Sequence, residues 1–215
     1  ATLNAVALTT VSAVSVDLIG LRATRVRVDG DRRTRFDQGP RKLRVSLPRR
    51  LQPGERFSIE IVYAGAPAPR RSRWGAIGWE ELEDGALVAS QPTGAPTWFP
   101  CNDRAADKAA YQVSIACDSA YHVVANGVLA DKRKAGRKTS WTYVQAEPMS
   151  PYLATVQIGR YESKPLRGAP VPVHLVGPAR LRKAMETGFA DQTRMLTAMA
   201  DWFGPYPFAS GYTAV

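Results

Sequence analysis

His122 and His174 are the only histidines in the chain, and Cys101 and Cys117 are the only cysteines. Two thiols cannot make a four-ligand zinc centre, and a pair of distant histidines is a weak metal signal. The H-E-x-x-H pattern, which sets two imidazoles on one helix face with a glutamate base between them, does not occur. No metal ligand is therefore assigned. Covalent catalysis fares no better. Ala209-Ser210-Gly211 lacks the leading glycine of a G-x-S-x-G nucleophile elbow. Cys101 follows Trp98-Phe99-Pro100, and an apolar setting raises a thiol pKa and so silences it as a nucleophile. No glycine-rich phosphate loop is present, and no catalytic residue is assigned. The two cysteines are expected to be reduced and mostly buried, which fits a cytoplasmic protein.

Composition narrows the class. Of 215 residues, 45% are apolar and 22% charged, values that exclude a disordered chain. A chain of this length buries roughly 70% of its unfolded surface. No apolar run approaches the length of a membrane span, and no basic-then-apolar leader is visible at Ala1-Thr2-Leu3-Asn4, so no membrane partner is expected. Without an initiator Met, the sequence reads as processed or as a piece of something longer. The net charge of +10 is uneven, with 15 Lys/Arg against 6 Asp/Glu in residues 1–73. That excess raises nucleic-acid binding as a possibility. However, the cations alternate with apolar residues, as in Arg25-Val26-Arg27-Val28 and Lys42-Leu43-Arg44-Val45. This is the wet face of a half-buried strand, with no aromatic residues interleaved for base stacking, so no nucleic-acid partner is expected.

The elements follow from periodicity. Alternation predicts strands around Val14–Leu18, Val26–Val28, Leu43–Leu47 and Phe57–Tyr63, with turns at Asp29-Gly30 and Gln52-Pro53-Gly54-Glu55 and a stop at Pro48. Further strands are expected at 86–89, 111–117, 121–125, 141–144 and 152–158, with a basic turn at 131–138. The fold class is mainly β, an antiparallel sandwich or saddle. The period then becomes helical: Leu181, Met185, Phe189, Gln192, Leu196, Met199 and Phe203 predict one amphipathic helix over residues 178–203, ended by Gly204-Pro205. A terminal strand is expected near Tyr212. This divides the chain into residues 1–175, a β domain, and residues 176–215, the first helix and incipient strand of a second domain.

The most specific segment is Gln91-Pro92-Thr93-Gly94-Ala95-Pro96-Thr97-Trp98-Phe99-Pro100-Cys101-Asn102-Asp103, followed by Asp107-Lys108-Ala109-Ala110-Tyr111. It resembles the signature of the N-terminal domain of gluzincin (M1-type, aminopeptidase N-like) zinc aminopeptidases. Three more stretches agree in order: Val123-Val124-Ala125-Asn126-Gly127, Pro148-Met149-Ser150-Pro151-Tyr152-Leu153, and Trp202-Phe203-Gly204-Pro205-Tyr206-Pro207. Arg104-Ala105 departs from the family's His-Pro or Glu-Pro and predicts a looser loop.

The resemblance implies an N-terminal, non-catalytic portion of an enzyme that removes N-terminal residues from peptides. Zinc would be a cofactor of the full-length enzyme and would not be bound by this chain. A zinc-activated water would attack the first peptide bond, with zinc and base supplied by the chain's own catalytic domain. The apolar face of residues 178–203 would pack on that domain. Gln91 matches the Gln/Glu that binds the free α-amine of the peptide substrate, and the β domain would form a wall of the S1 pocket. The rival for Gln91 is a buried amide bonded within its loop. Asp103 and Lys108 are expected to hold the loop by local bonds, and Trp98, Phe99 and Tyr111 to be core. The alternative function is a β scaffold for protein–protein contacts, related to the same family but without catalysis.

Overall fold

The structure, a computed structural model, describes residues 1–215. The chain divides into two units: residues 1–80, 88–108 and 150–154, and residues 81–87, 109–149 and 155–215.

The first unit begins with β1 (Thr2–Val6), β2 (Val11–Asp17), β3 (Arg22–Val28), β4 (Phe36–Gln38), β5 (Lys42–Leu51) and β6 (Arg56–Ala64). They form two antiparallel sheets, ordered β1-β6-β3 and β2-β5-β4. Alternation builds both. In β5, Leu43, Val45 and Leu47 are buried while Lys42, Arg44 and Ser46 face water. In β6, Phe57, Ile59 and Ile61 are buried. The two inner faces share one core, in which Leu18, Leu43, Val45 and Ile61 are fully buried. Each such side chain contributes about 1.5–3 kcal/mol by leaving water. This is the expected sandwich. Arg25 and Arg27 lie on the outer face of β3 and reach Glu60 at 3.9 and 3.6 Å. Asp29 and Gly30 both take positive φ (48° and 80°), as the tight turn after β3 requires, and Val28 bridges Asp31 across it. β5 runs on through Pro48, contrary to the predicted stop. Its register with β2 jumps between Val11↔Leu51 and Ala13↔Ser46, and the bulged residues need no ladder donor. β1 was not predicted.

β7 (Arg70–Ser72) pairs with β8 (Gly75–Leu82), and β9 (Gly85–Ala89) follows; β8 and β9 carry the chain out of the first unit and back.

The second unit contains β10 (Ala109–Asp118), β11 (His122–Ala125), β12 (Val128–Ala135), β13 (Lys138–Met149), β14 (Val156–Gly159), β15 (Tyr161–Leu166), β16 (Val173–Pro178) and β17 (Tyr212–Ala214). β10-β13-β12 is one antiparallel sheet. β11 pairs with β14, which pairs in turn with Ala86 and Leu87 of β9. The Tyr143 hydroxyl donates to the Val123 carbonyl at 2.6 Å and ties β13 to β11. Residues 131–138, expected as a basic turn, are mostly strand; only Gly136 and Arg137 turn. Residues 151–153 form a 3-10 turn rather than the start of a strand.

The expected helix over 178–203 is broken. Pro178 ends β16, residues 179–181 form a 3-10 turn, and α1 (Arg182–Gly188) and α2 (Gln192–Phe203) follow. The break comes after Gly188, where a helix pays about 1 kcal/mol relative to Ala, and Phe189 leaves helical geometry. α2 buries Leu196 and leaves Met195, Met199, Trp202 and Phe203 exposed. The terminal strand β17 forms as expected and runs parallel to β16. No helix is long and apolar enough to cross a membrane.

Candidate functional site

Gln91 lies in the turn after β9, in the first unit. It is exposed, and its side chain makes no hydrogen bond or ion pair. It is therefore not the buried, bonded amide that was its structural rival. The Gln91–Pro92 peptide is cis.

The residues around it are fixed. Arg70, at the start of β7, donates from Nε to the Thr93 carbonyl at 3.1 Å and from its terminal nitrogen to the Thr93 hydroxyl. A planar guanidinium making two bonds to one residue is a geometric clamp. The Gly94 N–H closes the turn onto the Ser90 carbonyl at 2.6 Å. Residues 95–97 form a 3-10 turn whose Thr97 is fully buried. The Thr97 hydroxyl donates to the Gly94 carbonyl at 2.7 Å and accepts the Trp79 N–H at 3.0 Å. Gly78, at φ 114°, lies against that hydroxyl; a Cβ there would stand 2.2 Å from Thr97 Oγ1. Tyr63 donates to the Trp98 carbonyl at 3.0 Å. Asp17 and Cys101 exchange backbone hydrogen bonds of 2.7 and 3.1 Å, and the Ile19 N–H reaches the Pro96 carbonyl at 2.9 Å. The segment is thus bonded to β2, β6, β7 and β8, while Gln91 stands free at its head.

The neighbouring expectations divide. The Asp103 N–H bonds the Asp17 carboxylate at 3.2 Å, but Lys108 is exposed and pairs with nothing. Exposure gives its ammonium no reason to pay for a fixed geometry. Trp98, Phe99 and Tyr111 are half-buried rather than core. Trp98 packs edge-on to Phe99 at 4.6 Å, and its indole N–H is buried without an acceptor. The loop after Asp103 is held despite Arg104-Ala105, because the Ala105 carbonyl accepts the Ser150 hydroxyl at 2.6 Å and Asn102 bonds Asp107 at 2.7 Å. Arg70, Gly78 and Thr97 were not singled out as supports. Arg70 sat in what read as a Gly/Pro/Arg loop, and only the fold brings it to Thr93.

Electrostatics leave the site without a nucleophile. Burial, then the carboxylates of Asp103, Asp17 and Asp107, push the Cys101 thiol far above its ordinary value. Asp103 is raised to about 6, first by burial and then by Asp17, which Arg70, Lys42 and Arg41 partly offset. The folded chain thus retains a proton that the unfolded chain releases near 3.8. The stability involved is present below 3.8 and is lost as pH rises through 6. Asp103→Asn should flatten that decline. Melting temperatures of both proteins between about pH 4 and 7 check it; parallel curves would reject it.

No group of three or more His, Cys, Asp or Glu side chains that could hold a metal ion is present. The residues here do not fit a zinc centre, and no step through a metal follows from them. Residues 3–153 match the family model of the peptidase M1 N-terminal domain.

The chain belongs to the M1 peptidase N-terminal domain family.

A curated relative of this M1 domain is a leucyl aminopeptidase of Saccharolobus solfataricus, 24% identical over 153 residues, which are 69% of this chain and 18% of that protein. Among solved structures, the M1 zinc metallopeptidase of Deinococcus radiodurans superposes with a TM-score of 0.85 at 27% identity, over 97% of this chain and 49% of that one. A variant of it bound to a Tyr-Ser-Ala substrate gives a TM-score of 0.88 at the same identity and coverage. A two-domain M1 zinc metallopeptidase variant bound to L-arginine gives 0.86, covering 49% of that chain. This M1 domain therefore spans about half the length of the solved relatives and under a fifth of the curated one.

Proposed function

We propose that this chain is the substrate-amine-anchoring β domain of a zinc-dependent aminopeptidase, with Gln91 as the residue that binds the α-ammonium of a peptide. The observation that carries this reading is the contrast at Gln91: an exposed, unpartnered amide at the head of a loop bonded on every other side. A surface glutamine with no role needs no such frame. An exopeptidase must recognise a free N-terminus, and an amide oxygen is a neutral acceptor for an ammonium. The relatives with a bound tripeptide and a bound amino acid support a peptide substrate class. In this reading the domain also walls the S1 pocket. Residues 1–175 form the β domain, and residues 176–215 open the catalytic domain, which covers the apolar face of α2. That domain would hold the zinc. Both cysteines are free thiols, which supports work in the reducing cytoplasm.

The intact polypeptide should hydrolyse leucine p-nitroanilide and leave its N-acetyl derivative untouched, since acetylation removes the ammonium that Gln91 would hold. Equal rates on the two compounds would reject an amine-anchoring role.

A further inference from the structure

A cavity of about 400 Å³ in the second unit lies away from Gln91's loop in sequence and owes nothing to the aminopeptidase reading. Its volume is within the range of small-molecule sites, roughly 300–1,000 Å³. Lys132 and Lys134, two apart on β12, project from the same face of the strand and line it. Neither lysine has an ion pair. By contrast Arg133, which points to the other face, pairs with Asp131 at 2.9 Å.

The rest of the lining is rich in donors and poor in acceptors. Lys132 stands 3.9 Å from the centre of the Trp141 ring, opposite it in the β12–β13 ladder. Trp141 also lines the cavity; it is 3% exposed, and its indole N–H is buried without an acceptor. His122 packs on the same indole at 4.8 Å. Ser119 and Thr139 hydroxyls bond each other at 2.8 Å, which leaves one of the two hydrogens free to donate onward. Tyr121 is spoken for: its hydroxyl donates to Asp84 at 2.6 Å. No carboxylate lines the cavity. Two ammonium groups without a carboxylate partner and a hydroxyl hydrogen free to donate call for a compact ligand that brings negative charge and several acceptor oxygens.

We propose that this cavity, bounded by Lys132, Lys134, Trp141, His122 and the Ser119–Thr139 hydroxyl pair, is a binding site for a phosphoryl dianion, either free phosphate or a small phosphomonoester. The phosphoryl group takes its charge balance from the two lysines and hydrogen bonds from the hydroxyls. Burial, reinforced by Lys132, lowers the His122 pKa. A bound dianion offsets the lysines, so His122 reports occupancy by titrating higher.

The experiment is an NMR titration of the His122 ring in the intact polypeptide, with inorganic phosphate and phenyl phosphate as separate probes. Saturable binding of either, with a rise in the His122 pKa, is the expected result. Tighter binding of phenyl phosphate assigns the site to a phosphomonoester; equal binding assigns it to free phosphate. Lys132→Gln and Lys134→Gln should each weaken binding about 5- to 30-fold, as expected for losing one charge-assisted contact near a surface. Arg133→Gln, with its charge on the opposite face, should change affinity less than 2-fold by roughly the same reasoning. Thermal melting of each variant shows that the fold is kept. The proposal is overturned if neither probe moves His122 up to about 10 mM, a concentration that detects even millimolar affinity. It is equally overturned if the double lysine variant, still folded, binds as well as the parent.

Discussion

Gln91→Ala in the intact polypeptide should lower kcat/KM for an aminoacyl anilide about 10- to 100-fold, the equivalent of one charge-assisted hydrogen bond of roughly 1.5–3 kcal/mol. The argument starts from exposure. The side chain is exposed and makes no hydrogen bond or ion pair, so its removal leaves no orphaned partner in the fold. The melting temperature should therefore stay within about 2 °C of the parent. Gln91→Glu keeps an acceptor oxygen at the same reach and adds a charge opposite to the ammonium. Its loss should be well below that of the alanine variant, and its KM should be the same or lower. Steady-state kinetics with melting curves separate the cases. Full activity in Gln91→Ala, or loss of activity only through unfolding, would remove Gln91 from the substrate site.

A large stability effect is expected at Gly78→Ala. Two costs add. Alanine at φ 114° lies outside the regions open to L-residues, a strain of about 1–3 kcal/mol. Its Cβ would stand 2.2 Å from Thr97 Oγ1 and 2.8 Å from Thr97 Cγ2. Thr97 cannot swing aside, because it is fully buried and its hydroxyl is engaged by both Gly94 and Trp79. Overpacking of this kind costs about 1–3 kcal/mol more. The total, about 2–6 kcal/mol, should lower the melting temperature by roughly 4–24 °C. Thr97→Ala removes both atoms in the closest contacts. The double variant should therefore be less destabilised than the sum of the two singles, the mark of a shared contact. Strict additivity in chemical denaturation would show that the backbone, not Thr97, sets the cost.

Most of this frame was readable where one face of a strand is buried. β5, β6 and β10 alternate cleanly, and each is a strand in the structure. β1 and β12 escaped because their apolar residues are too few to set a period: β1 is only five residues long, and β12 runs Asp131-Lys132-Arg133-Lys134 through its middle. They are strands because a neighbour offers a ladder, which no local pattern encodes. The 178–203 segment carried a helical period, but periodicity did not show the three-residue break between α1 and α2. Gln91 was singled out only through a resemblance in its surroundings. Its supports were not: Arg70 lies 23 residues before Thr93, and Thr97 meets Trp79 across 18. Contacts of that span are a property of the fold rather than of any window of sequence.

The sandwich of the first unit has a consequence for synthesis. Its two central strands, β5 and β6, are also its last, ending at Leu51 and Ala64. β1 must wait for Arg56 to Glu60 before it has a partner, and β3 pairs with the same strand. At roughly 5–20 residues per second, translation leaves β1 unpaired for about 3–10 s while the rest of the sandwich is made. During that interval Leu18, Val26 and Val28, all buried in the finished molecule, lack the Phe57, Ile59 and Ile61 side chains that complete their core. A nascent chain paused before β6 clears the ribosomal exit tunnel is thus a set of open strand edges, and it is at that length that the growing polypeptide most needs shielding by a chaperone.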